Sequence, residues 1–225
     1  MESYESAVDK IRIELTGNLD DVKQEFMAHF GADLERFIDS TAHAFLRWVK
    51  LDAASGGNEE RAIVSGLVFS AITLHIISMR LFLTGYIVAA GNIQRQVLET
   101  LALALLSSCK SLDVLARFLN DTYSANNAVR DALRHADKMK VNKDSLTVLR
   151  DARDFYHLYS HPSKATLASH IRFSDKVRAI YVGSSFDAGK LEQYRKEMAS
   201  RVNLAQVIPN FVGGVQANVD GWETP

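Results

Sequence analysis

Apolar residues recur at three- and four-residue steps along most of the chain, the spacing of one face of an α-helix. Residues 3–15 predict a short helix. A long one is expected from Asp20 to about Asp52, where Val22, Phe26, Phe30, Phe37, Thr41, Phe45 and Trp48 share a stripe. The run Ala53–Asn58, AASGGN, reads as a turn. A third helix starts near Glu59, whose acidic neighbourhood suits a helix N-terminus, and runs to about Ala90. Gly91-Asn92 then predicts a break. The next helix, about 92–109, is apolar nearly all round, so it belongs at the centre of a bundle.

Shorter helices follow. Ser111 is placed to cap one through Leu119, another covers about 124–139, and Asn142 or Lys143 opens a third that Pro162 stops. Beyond the proline the pattern changes. Leu167–Phe173 and Val177–Gly183, separated by Ser174-Asp175-Lys176, have the composition of a small β-hairpin. Asp187 caps a last helix to about Val207, and Pro209 with Gly213-Gly214 is expected to end regular structure. The pattern therefore predicts a predominantly α fold, a bundle of about six or seven helices with one short hairpin near 167–183. A single helical domain is expected over 1–208, with a loose tail over 209–225.

Composition narrows this picture. The chain has 225 residues with only 3 Pro and 12 Gly, which favours long helices over a turn-rich β fold. Net charge is −1, so no global electrostatic drive toward nucleic acid exists. Charge is unevenly spread: residues 1–60 hold 6 Lys/Arg and 13 Asp/Glu, whereas 61–225 hold 20 and 14. The basic excess gathers in 134–201, as a solvated face or as a patch for an anionic partner. One cysteine, Cys109, gives neither a disulfide framework nor a Cys-rich zinc site, and its apolar surroundings suit a buried structural thiol. The first ten residues, MESYESAVDK, are polar and unlike a signal peptide, so a cytoplasmic location is expected. Residues 62–79 are long and apolar enough to raise a membrane span. His75 and Arg80 favour a buried core helix instead, so no membrane partner is expected.

The densest chemistry lies in Arg150–Ser163, RDARDFYHLYSHPS. On a helix, residues four and seven apart share a face. Arg150, Asp154, His157 and His161 then line one stripe with Arg153 on its flank, while Val148, Ala152, Phe155 and Tyr159 fall opposite and are expected to pack inward. Imidazoles titrate near neutral pH and can move a proton, and guanidinium forks hold phosphate. A metal-independent ribonuclease needs those groups: a base for the ribose 2′-OH, an acid for the leaving oxygen and a cation on the phosphorane.

The spacing Arg150-x6-His157, with Asp151 just after the arginine, resembles the Arg-x4–6-His motif of HEPN-domain proteins. That family is all-α and commonly dimeric, and it includes RNases of toxin–antitoxin and phage-defence systems. The resemblance implies RNA as substrate, a homodimer, and no cofactor. It assigns phosphate binding to Arg150, orientation of that arginine to Asp151, and the general base to His157. Arg153 and His161 complete the candidate catalytic set. A second pattern covers more of the chain. Arg95-x3-Glu99, followed by Tyr156-x3-Ser160-His161-Pro162-Ser163, resembles a group of uncharacterised bacterial helical proteins and names no activity. It adds Arg95, Glu99, Tyr156 and Ser160 as candidate binding residues.

Arg95 and Glu99 also stand out on physical grounds. They form an i,i+4 pair where nearly every neighbour is apolar, so they must be buried together or open onto a polar pocket. His157 and His161 share the i,i+4 spacing of a metal-binding pair, but no H-E-x-x-H pattern exists and a third ligand must come from elsewhere, such as Glu99 or Asp154. No metal site is assigned. Walker, G-x-S-x-G and dinucleotide signatures are absent, and no DNA-binding motif stands out. Three functions remain open: a HEPN-like ribonuclease of bacterial defence, a non-catalytic helical interaction or anion-binding module, and a metal-dependent enzyme using His157 and His161.

Overall fold

Nine α-helices form among the residues that the computed structural model describes, 3–173, 178–180 and 183–223. They are α1 (Tyr4–Thr16), α2 (Asp20–Ala53), α3 (Glu59–Leu83), α4 (Ile87–Ser107), α5 (Val114–Leu119), α6 (Ala128–Arg134), α7 (Lys143–His157), α8 (Lys164–His170) and α9 (Leu191–Asp220). The fold is all-α in character, with more helices than the six or seven expected; the one not foreseen is α8, where the sequence from Leu167 reads as strand. Long helices α2, α3, α4 and α9 make the main body, with α3 packed along α4 and α2 along α9. Helices α6 and α7 cover the remaining side of α4.

Local chemistry explains several starts. Asn58 accepts the Arg61 N–H at 3.0 Å and opens α3, and Asn142 accepts the N–H groups of Asp144 and Ser145 to open α7. Each cap satisfies donors that the first turn leaves without partners. Ser163 and Thr166 form a reciprocal capping box at α8. Helix α4 is buried on nearly all sides, as its sequence predicts, with Val97, Leu98, Leu101 and Leu105 at 2% exposure or less.

The break between α3 and α4 falls at Thr84-Gly85-Tyr86, not at Gly91-Asn92. Gly85 adopts φ +79°, the left-handed conformation that ends a helix. Gly91 stays helical, and its missing side chain has a packing purpose. A Cβ there would sit 2.6 Å from Cγ of Tyr159, so the ring that closes over α4 requires a glycine beneath it.

The chain after Val207 is not a loose tail. Helix α9 runs through Pro209 and both glycines to Asp220. Ala205, Ile208, Val212, Val215 and Val219 continue the three- and four-residue apolar rhythm and are buried, and this burial outweighs the local cost of proline and glycine. Arg47 on α2 donates to the Pro209 carbonyl at 2.8 Å and clamps the same stretch. Trp222 Nε1 donates to the Ser108 carbonyl at 2.7 Å and fixes the end.

The hairpin expected over 167–183 is much reduced. Leu167–His170 closes α8, and two strands of three residues each, β1 (Ile171–Phe173) and β2 (Arg178–Ile180), pair antiparallel with Ile171 opposite Ile180. The residues expected to turn between them, Ser174-Asp175-Lys176, lie outside the described residues, as do Tyr181 and Val182.

Helix α3 is long and apolar enough to cross a membrane by length and composition. Val64, Val68, Ile72, His75, Met79 and Phe82 form its buried face, whereas Phe69, Ile76 and Ile77 are exposed.

Candidate functional site

Helix α7 is rotated from the orientation its sequence suggests. Its inward residues are Leu146, Leu149 and Tyr156, with Ala152 and Arg153 half-buried beside them. Val148 is 68% exposed and Phe155 is 40% exposed, so these two do not anchor the helix as expected. The rotation carries Arg153 toward α4 and turns Arg150 outward.

A cavity of about 570 Å³ lies where α4, α7 and the turn after α7 meet. Arg95, Glu99, Arg153, His157 and His161 line it, together with Asn126 from the turn before α6. Arg95 and Glu99 sit one turn apart on α4 and bond directly, Nε to Oε1 at 2.8 Å. Arg95 also donates to Ser160 Oγ at 2.6 Å and to Asn126 Oδ1 at 3.0 Å, so each guanidinium nitrogen has a partner. Arg153 Nε reaches the same Glu99 oxygen at 3.4 Å, and its NH1 bonds Asp154 at 3.1 Å. Two guanidinium groups thus share one carboxylate across the gap between helices.

The imidazoles sit at the rim. His157 ends α7, and the chain turns so that His161 stacks edge-on against it, with ring centroids 4.6 Å apart. Ser160 links them to the floor: its hydroxyl accepts from Arg95 and donates to the His157 carbonyl at 2.8 Å. Partial burial lowers the His157 pKa, and the positive charge of Arg95, His161 and Arg153 lowers it further. A helix C-terminus alone would push it the other way. His157 is therefore held in the neutral form that accepts a proton.

Three residues proposed from the sequence lie elsewhere. Arg150 is outside the cavity and pairs with its neighbour Asp151 at 2.8 Å, with both side chains well exposed. Tyr156 is wholly buried in the core, under the guanidinium of Arg201. Burial also raises the Tyr156 pKa. Among the described residues no three of His, Cys, Asp and Glu gather to hold a metal ion. Asn126 was not foreseen, because it falls in a segment whose pattern predicts plain helix.

A second polar cluster, deeper in the core, also escaped sequence reasoning. Glu197 and Arg201, a turn apart on α9, are 1% and 0% exposed and bond at 2.7 Å. Tyr159 donates to the other Glu197 oxygen at 2.6 Å, and Arg201 Nε donates to Ser78 at 3.1 Å. His75 on α3 bridges Gln94 and the Arg201 carbonyl at 3.1 Å each. Burial first, then the nearby Arg201 charge, lowers its pKa to about 4. Both charges fall in the basic stretch 134–201, expected as a solvated face or an anion patch, yet Tyr194, Met198, Val202 and Ala205 set a buried stripe that includes them. That interruption of an apolar stripe was the available signal.

No protein-family model, curated protein or solved structure matches the chain. The chemistry of the cavity is therefore read from its own residues.

Proposed function

We propose that the cavity between α4 and α7 is the active site of a HEPN-like, metal-independent ribonuclease of bacterial defence. The observation that carries the reading is the convergence of two imidazoles and two guanidinium groups on one open cavity. His157 acts as the base on the ribose 2′-OH, because its lowered pKa keeps it unprotonated at neutral pH. His161, in contact with it, supplies the proton to the leaving oxygen. Arg153 is the phosphate cation in place of Arg150, since it lines the cavity and Arg150 does not. Glu99, held by Arg95, positions Arg153 in turn.

The non-catalytic alternative has one observation in its favour. Arg95 already spends all three nitrogens on protein acceptors, which limits what it can offer a phosphate. In that reading the cavity binds an anion without acting on it.

Purified wild type, His157→Ala, Arg153→Ala and Arg150→Ala, incubated with a structured RNA with and without EDTA, separate these readings. His157→Ala is expected to lose about 10²–10⁴-fold in cleavage rate with an unchanged melting temperature. Arg150→Ala should cleave like wild type, and EDTA should have no effect. A folded wild type that binds RNA without cleaving it supports the anion-binding module. Cleavage lost only on chelation points to a metal.

A further inference from the structure

A groove of about 630 Å³ runs between α4, α7 and α9, on the other side of α7 from the polar cavity. That volume is in the range of pockets that enclose one small molecule. Its walls are mostly apolar and include Leu98, Leu149, Leu204, Val207 and Phe211. Uncharged polar side chains, Ser145, Asn203 and Asn210, are spread along it, but the charge lies at one end. Lys196 and Ser200 lie a turn apart on α9, and Gln94 is held beside them because His75 bonds both Gln94 and the Arg201 carbonyl. Val207 and Phe211 lie further along the same helix. From Lys196 to Phe211 the axial distance is about 22 Å at the rise of an α-helix.

Two observations at the charged end point to a ligand. Gln94 lines the groove and is wholly buried, yet one end of its amide has no protein partner. A buried amide group without a partner is unfavourable, and a bound polar head relieves it. In addition, among the described residues Lys196 is the single charged one lining the groove, with no carboxylate among them to neutralise it. The exposed apolar side chain of Val148 stands at the groove's edge, where a hydrocarbon would cover it.

We propose that this groove binds an anionic amphiphile, a medium-chain carboxylate whose head meets Lys196, Ser200 and Gln94 and whose tail lies toward Val207 and Phe211. The sign of the head follows from Lys196, and the hydrocarbon tail from the mostly apolar walls supplied by α4, α7 and α9. The site is separate from the ribonuclease reading, since Lys196 and Val207 lie outside the polar cavity.

Dodecanoate is the probe, titrated into the full chain by calorimetry and by displacement of anilinonaphthalene sulfonate fluorescence. Dodecyltrimethylammonium, with the same tail and the opposite charge, is the control. The wild type should bind dodecanoate at one site and the cation at least about tenfold more weakly. Lys196→Glu should weaken dodecanoate about tenfold and leave the cation unaffected or improved. Ala199→Trp fills the groove from an exposed position and should abolish both. Val148→Asp, also at an exposed position, should repel the anion and gives a second reading if the tryptophan variant misfolds. Equal binding of the two detergents, or unchanged binding in Ala199→Trp and Val148→Asp, overturns the proposal. So does a wild-type dimer that Val148→Asp makes monomeric while dodecanoate fails to bind, which assigns the groove to a second copy.

Discussion

Two of this protein's ion pairs share a geometry and differ in their surroundings. Glu197–Arg201 and Arg95–Glu99 are each i,i+4 pairs on a long helix, with nitrogen–oxygen distances of 2.7 and 2.8 Å. The first is sealed: Tyr159, Ser78, His75 and the ring of Phe82 enclose it, and its side chains are 0–1% exposed. The second opens onto a cavity, with 12% and 10% of its side chains exposed and a second guanidinium on the same carboxylate. A charge pair shut away from solvent fixes how helices pack. One that borders open space can exchange partners with a ligand. The contrast places a sealed pair within α9 and a solvent-facing pair on α4, beside α7.

Removing one partner from each pair tests the difference most strongly. Glu197→Gln strands the Arg201 charge in a dry core and should cost about 3–5 kcal/mol in a urea denaturation. Glu99→Gln keeps a hydrogen-bonding group beside a wet cavity and should cost about 1–3 kcal/mol. Equal losses would show that the cavity is as dry as the core and erase the distinction. Replacing Glu197 and Arg201 together by apolar residues should recover most of the stability lost by the single change.

A pH series gives the next largest effect. The buried His75 has a pKa near 4 in the folded chain against 6.5 for a free imidazole. The unfolded chain therefore binds the extra proton first. Stability is full above about 6.5 and falls as pH drops toward about 4, by up to about 3 kcal/mol. Denaturation midpoints at neutral and mildly acid pH should show this loss in wild type and not in His75→Gln. A pH-independent stability between those values would mean that the sealed cluster admits water.

Gly91→Ala should have the smallest effect, about 1–3 kcal/mol from overpacking against Tyr159. The ring it displaces also bonds Glu197, so the melting temperature should fall while the cavity residues stay in place. An unchanged melting temperature would show that Tyr159 can yield without cost.

Much of the helical order is legible in the chain because its causes are local. The stripe Phe26, Phe30, Phe37, Thr41 identifies α2, and Asn58 and Asn142 mark two starts through caps that need only adjacent residues. Phe45, on the same predicted stripe, is 42% exposed, because α3 and α9 cover only part of that face. The unusual placement of Arg95 and Glu99 in an apolar helix also restricts them to a pair buried together or one opening onto a polar pocket, and packing chose the second. Arg150-x6-His157 does not, since spacing along one helix says nothing about which face its neighbours cover.

What the sequence alone determined is periodicity, capping and the presence of charges where burial is unfavourable. What the tertiary structure decided is which side of α7 faces α4, and so that Arg153 rather than Arg150 lines the cavity. It also decided that Gly91 packs a ring rather than breaking a helix, and that α9 continues through Pro209 to Asp220. The physical reason is common to all three. Local propensities differ by about 1–3 kcal/mol even for glycine and proline. Burying a stripe of large apolar side chains contributes about 1.5–3 kcal/mol for each one. Packing between distant segments therefore overrules the local preference wherever the two disagree.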